Sequence, residues 1–212
     1  AGDHLVTVTA TDTDGLYVTE TVALNLNQPP TAPTVAITPN PATTGQMLIA
    51  SAEGSEDPEG TGTITYAYTW FEDGVVSAES VSATYPASAT AKHHTYSVNV
   101  TASDGLVDGA AGTAEVTVIN SVPVLSGPIL SAATVGVGET LTCSATVSDA
   151  DAADSPTLTY AWSDGRPGPT YTVTPTDPVG SLIECTVTAD DADGGVVSAS
   201  VSATVVNVPP IV

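Results

Sequence analysis

The chain has 212 residues, and its 24 Asp and Glu against two Lys and Arg give a formal net charge of −22. Such a surface repels phosphate backbones and anionic headgroups, which excludes nucleic acid and acidic membranes as partners. Ser, Thr, Val and Ala dominate an all-β composition, and hydroxyl residues break the Val-rich runs before any approaches the roughly 18 apolar residues of a membrane-spanning helix.

The first element is an alternating run from Leu5 to Asp12, followed by the turn Asp14–Gly15, a second alternating run and a linker from Asn27 to Pro30. The same plan returns at Tyr96 to Asp104 and at Glu184 to Asp190. Each copy has an Asp-Gly turn soon after and a proline linker, Asn120 to Pro123 and Asn207 to Pro210. A pattern repeating at about 90 residues describes a tandem array. Its expected parts are a partial module at 1–28 holding only the last two strands, complete modules at 29–120 and 121–208, and the start of another at 209–212. A lone hairpin is marginal in water. Residues 1–28 therefore call for completion, by preceding chain of a longer repeat protein or by strand addition from another subunit.

Strand parity predicts the cores. Leu141, Cys143, Ala145 and Val147 share one face, as do Leu158, Tyr160 and Trp162, and Ile183, Cys185 and Val187. Cys143, Trp162 and Cys185 thus meet in one core. The middle module sets Trp70 on the matching strand, with Ala50 and Val98 at the two cysteine positions.

The order Cys, Trp, Cys on the second, third and sixth strands is that of an immunoglobulin sandwich. The proline linkers, the acidic loops at Ser55 to Gly60 and Asp149 to Asp154, and Thr-Tyr-Ala-Trp with Ser-Asp-Gly at Thr159 to Gly165 resemble bacterial immunoglobulin-like tandem repeats. They are most similar to the polycystic-kidney-disease (PKD) type and the cadherin-like class of large secreted or surface proteins. Trp70 to Gly74 and Trp162 to Gly165 depart from the Trp-x-Phe-Gly-Asp-Gly text usual in the former. The resemblance implies tandem immunoglobulin-like β-sandwich modules joined by short proline linkers, outside the cell. It also implies a Cys143–Cys185 disulfide, typically contributing about 2–4 kcal/mol. The middle module, without that bond, is expected to be the less stable. Tyr96, two residues before Val98, stands where a tyrosine corner falls, or is a plain core tyrosine.

In such a sandwich the loops after the second and sixth strands share one end, the end where the chain enters. Asp149, Asp151 and Asp154 would gather there with Asp190, Asp191 and Asp193 beside Asn120. In the middle module Glu56, Asp57 and Glu59 would gather with Asp104 and Asp108 beside Asn27. Hard oxygens from several loops suit calcium, which would cancel their repulsion and stiffen the joint. The same residues also make good turns, and no run matches a dedicated calcium loop.

Catalysis is not expected. The histidines are His4, His93 and His94, no cysteine is left over as a nucleophile, and zinc at the adjacent pair His93–His94 is disfavoured because neighbouring strand residues face opposite ways. Trp70 and Trp162 have core parity, and Phe71 is the aromatic expected to face outward. Asn99 lies in an N-glycosylation sequon not expected to be used, and Lys92 is the one lysine available for any isopeptide staple. The expected function is a non-enzymatic surface filament or adhesin stalk. Its partners would be neighbouring modules of the same protein in a homo-polymer or long array. The alternative is a ligand- or carbohydrate-binding accessory module of a secreted hydrolase.

Overall fold

The computed structural model describes residues 4–24, 26–60 and 62–207. The expectations for Pro209 to Val212 lie outside the described residues. The chain divides into two compact units, Ala1–Val118 and Ile119–Val212. Among the described residues no helix is long and apolar enough to cross a membrane.

The chain opens with β1 (His4–Thr11) and β2 (Tyr17–Leu24), which pair antiparallel from His4↔Leu24 to Thr11↔Tyr17 as their own two-stranded sheet. Every residue of both strands is exposed. The first unit then builds two sheets. One is ordered β3-β5-β8, from Thr34–Thr38, Leu48–Glu53 and Thr84–Tyr85. The other is ordered β4-β10-β9-β6-β7, from Ala42–Thr43, Asp108–Ile119, Thr95–Ser103, Thr65–Glu72 and Val75–Val76. The chain passes from one sheet to the other between β3 and β4.

Among the described residues the second unit has the same order without a counterpart of β7. Sheet β11-β13-β15 comes from Val124–Leu130, Thr140–Ser148 and Thr170–Thr172. Sheet β12-β17-β16-β14 comes from Thr134–Gly136, Val196–Val206, Leu182–Asp190 and Thr157–Trp162. Strand β12 runs parallel to β17, whereas the pairs β14·β16 and β16·β17 are antiparallel. The architecture is all-β, and each unit is an immunoglobulin-like sandwich.

Alternation along the strands makes the cores. On β9, Tyr96, Val98, Val100 and Ala102 are fully buried, and β16 likewise buries Ile183, Cys185, Val187 and Ala189. Cys143 and Cys185 form a disulfide, and register sets Trp162 opposite Cys185. The first unit sets Trp70 opposite Val98 in the same way, with Ala50 buried two residues after Leu48. Both indoles hydrogen-bond: Trp70 Nε1 donates to the Ser82 carbonyl at 2.9 Å, and Trp162 Nε1 to the Gly168 carbonyl at 2.8 Å. A buried indole N–H left without an acceptor would cost roughly 1–3 kcal/mol. Each tryptophan also packs at a tilt on a tyrosine from the opposite sheet, Trp70 on Tyr85 at 5.3 Å and Trp162 on Tyr171 at 5.1 Å. Sequence parity gave no sign of Tyr85 and Tyr171, because β8 and β15 are too short to show a period.

Tyr96 resolves as a corner. Its hydroxyl donates to the Ala89 carbonyl and accepts from the Ala91 N–H, both at 3.0 Å, tying β9 to the chain just upstream. The second unit has Ile183 at this position.

Candidate functional site

The acidic loops lie at one end of each sandwich, and their first task is to close turns. Asp12, Asp104 and Asp191 do this alike. Asp12 Oδ1 accepts the N–H groups of Asp14 and Leu16, each at 2.9 Å. Asp104 Oδ1 accepts those of Leu106 and Val107 at 2.7 and 2.9 Å. Asp191 Oδ1 accepts those of Asp193 and Gly195 at 2.7 and 2.8 Å. In the third copy the turn residue is therefore Asp191, one position beyond where the strand text ends. Asp190 is exposed and its Oδ1 accepts the Ala192 N–H, and Asp193 is exposed.

The second task is to hold the linker. Asn27 Nδ2 donates to Asp104 Oδ2 at 2.9 Å, and Asn120 Nδ2 donates to Asp191 Oδ2 at 2.8 Å. One residue later the backbone N–H of Gln28 donates to Glu59 Oε2 at 3.0 Å, and that of Ser121 to Asp151 Oδ2 at 2.7 Å. Each linker is thus fastened by a carboxylate from each loop of the sandwich that follows it. These bonds to ionised acceptors are of the stronger kind. The N–H groups aimed at Asp104, with the Asn27 amide, hold its carboxyl below the ordinary value of 3.8.

Glycine makes room for the linker. A Cβ on Gly195 would sit 2.0 Å from Asp191 Oδ2 and 2.8 Å from Pro123 Cδ, and one on Gly109 would sit 2.2 Å from the Pro30 carbonyl oxygen. No side chain fits at such distances, so these glycines are set by close approach.

In the second unit the two loops bring Asp149, Asp154 and Asp191 together, each offering an oxygen within 4.8 Å of the others. Asp151 is 3% exposed and Asp191 6% exposed. Asp149 Oδ1 accepts the Asp151 N–H at 2.9 Å, while Asp149 Oδ2 and Asp151 Oδ1 are buried with no hydrogen-bond partner. A buried anionic oxygen without a donor is costly. The first unit differs. Asp57 closes its own loop, with Oδ1 on the Glu59 N–H and Oδ2 on the Gly62 N–H, while Glu56 is exposed and its backbone pairs with Thr31. Among the described residues no trio of acids forms there, although Glu59 Oε1 is buried without a partner. Asp108 is exposed.

A different cluster lies elsewhere in the first unit. The type of turn, not strand parity, governs it, because His93 has φ +68° and sits with His94 before β9 rather than within it. His94 meets Glu72 and Asp73. Nothing in the sequence pattern ties these positions together, since they are joined only by the pairing of β6 with β9.

No family model matches the chain, and no curated protein does. Solved structures that a comparison pairs with the chain include the fibronectin(III)-like modules of Clostridium thermocellum CbhA, at 19% identity and a TM-score of 0.30 over 82% of this chain and 95% of that one. Others are the N-terminal eight immunoglobulin domains of Down Syndrome Cell Adhesion Molecule isoform 1.30.30, at 16%, 0.40, 97% and 27%, and the three N-terminal domains of the bacteriophage RB49 Highly Immunogenic Outer Capsid protein, at 19%, 0.31, 83% and 59%. The chain thus spans about a quarter of the cell-adhesion structure it matches. The assignment of fold rests on the sheet order and disulfide described above.

Proposed function

We propose that the chain is a non-enzymatic structural stretch of an extracellular protein, in which immunoglobulin-like modules follow one another as a stalk or as the body of a surface filament. The observation that carries this reading is the repeated fastening of linker to sandwich: Asn27 to Asp104 with Gln28 to Glu59, and Asn120 to Asp191 with Ser121 to Asp151. Sequence spent on fixing the entry segment twice, by the same pair of bonds, suits a protein that transmits shape or load. The Cys143–Cys185 disulfide favours an oxidising compartment.

In this reading Asp149, Asp151, Asp154 and Asp191 take calcium. The buried oxygens of Asp149 and Asp151 that lack donors support it, since a hard divalent ion accepts irregular sets of carboxylate oxygens. Calcium should raise the unfolding temperature of the second unit and chelation should lower it, while Asp151→Asn should abolish the response in differential scanning calorimetry. If chelation changes neither that temperature nor the hydrodynamic length, the acids serve only turns and linkers.

Electron microscopy of the protein from its source tests the larger reading. Strands of about 10 residues at roughly 3.3 Å each set an axial spacing near 35–40 Å per module. Filaments or beaded rods with that spacing support a structural array. Compact particles without it overturn the proposal.

A further inference from the structure

We propose that Glu72, Asp73 and His94 form a second metal site, one for a first-row transition ion of the zinc class, distinct from the acidic loops. The β6–β7 hairpin turns through Asp73 and Gly74, both at positive φ (49° and 80°), which leaves Glu72 at the strand end and Asp73 at the tip. Register places Glu72 opposite Tyr96. Asp73 is then clamped to β9: its N–H donates to the Thr95 carbonyl at 2.8 Å, and its Oδ1 accepts the Thr95 N–H at 2.9 Å. Its Oδ2 is thereby turned to His94.

His94 Nδ1 lies 2.7 Å from Asp73 Oδ2 and 3.1 Å from Glu72 Oε1. The nitrogen is buried, and neither contact meets hydrogen-bond geometry. A charged histidine in an ordinary ion pair aims its proton at one carboxylate oxygen. Two oxygens close to the nitrogen without hydrogen-bond geometry suit instead ligands gathered around an ion on its lone pair. With bonds of about 2.0–2.1 Å, tetrahedral ligand atoms stand roughly 3.3 Å apart, so an ion would draw the Asp73 oxygen back from the nitrogen by about 0.6 Å and the Glu72 oxygen by about 0.2 Å.

The ligand set fixes the class of ion. An imidazole nitrogen with two carboxylates suits zinc and its neighbours, whereas calcium takes oxygens alone. Two carboxylates and a neutral imidazole balance a divalent charge. The Thr95 N–H on Asp73 Oδ1 orients that acid from outside. The half-exposed His94 and Asp73 leave a side open for water as a fourth ligand.

The test is isothermal titration of the full chain with zinc chloride, with calcium in excess to occupy the acidic loops. One zinc should bind per chain. His94→Gln and Glu72→Gln should each weaken it at least tenfold, and His93→Gln should leave it within twofold. Nitrogen-15 spectra of the unsubstituted protein give a readout that needs no variant to fold: zinc should shift the Nδ1 resonance of His94 and not that of His93. Unchanged zinc affinity in His94→Gln, or an unmoved His94 Nδ1 resonance at saturating zinc, overturns the proposal.

Discussion

At the scale of single residues, the carboxylates and phenols that define the loops and cores should also set the pH range of the fold. Asp177 is held below 3.8 by the Thr174 N–H, then by the Tyr171 hydroxyl and the Thr174 side chain, as Asp104 is by its own turn and Asn27. A carboxylate with a depressed folded value contributes fully above pH 3.8, and its contribution is lost as the pH falls through the folded value. Urea midpoints followed by circular dichroism should fall below pH 3.8, and Asp177→Asn should flatten that limb. Tyr96 and Tyr171 behave in the opposite sense. Burial pushes each hydroxyl from 10 up to about 12, with the Asp177 hydrogen bond adding to the effect at Tyr171. Their contribution is whole below pH 10 and is lost as the pH rises through about 12. Tyr171→Phe should flatten this alkaline limb for the second unit. Gly195→Ala drives a methyl into Asp191 and Pro123 and should destabilise that unit by about 1–3 kcal/mol in urea titration. Gly127→Ala, where no atom lies within 4 Å, is the control and should change little.

At the scale of elements, three acidic hairpins of one pattern meet two fates. On β9, Val100 is fully buried, while Val8 at the matching place on β1 is 61% exposed. The strand text is the same, and the difference lies in what faces it: β9 has a second sheet to pack on, and β1–β2 stands as a sheet of its own. Val100→Ala should therefore cost about 2 kcal/mol or more in chemical denaturation, and Val8→Ala less than about 0.5 kcal/mol. The disulfide is likewise confined to one sandwich. Replacing both Cys143 and Cys185 by Ala should lower the second unit by about 2–4 kcal/mol and leave the calorimetric transition of the first in place.

At the scale of the whole molecule, removing one linker bond tests the mechanical reading without disturbing a core. Asn120→Ala removes the donor to Asp191, and small-angle scattering should report a broader distribution of maximum dimensions, with circular dichroism unchanged. What the sequence determined by itself was whatever has a period. Alternation assigned the strands, their inward faces, both core tryptophans and the meeting of Cys143 with Cys185, because side chains on a strand must alternate and one face must leave water. Composition likewise marked the loops as acidic. Tertiary structure decided the partners of those acids, since Asp104 and Asp191 find Asn27 and Asn120 across more than 70 positions of chain. It also singled out Asp191 over Asp190 in the turn, and it brought Glu72 and Asp73 to His94. These are pairings between loops and across sheets, fixed by register and turn geometry, and local sequence carries no periodic trace of them.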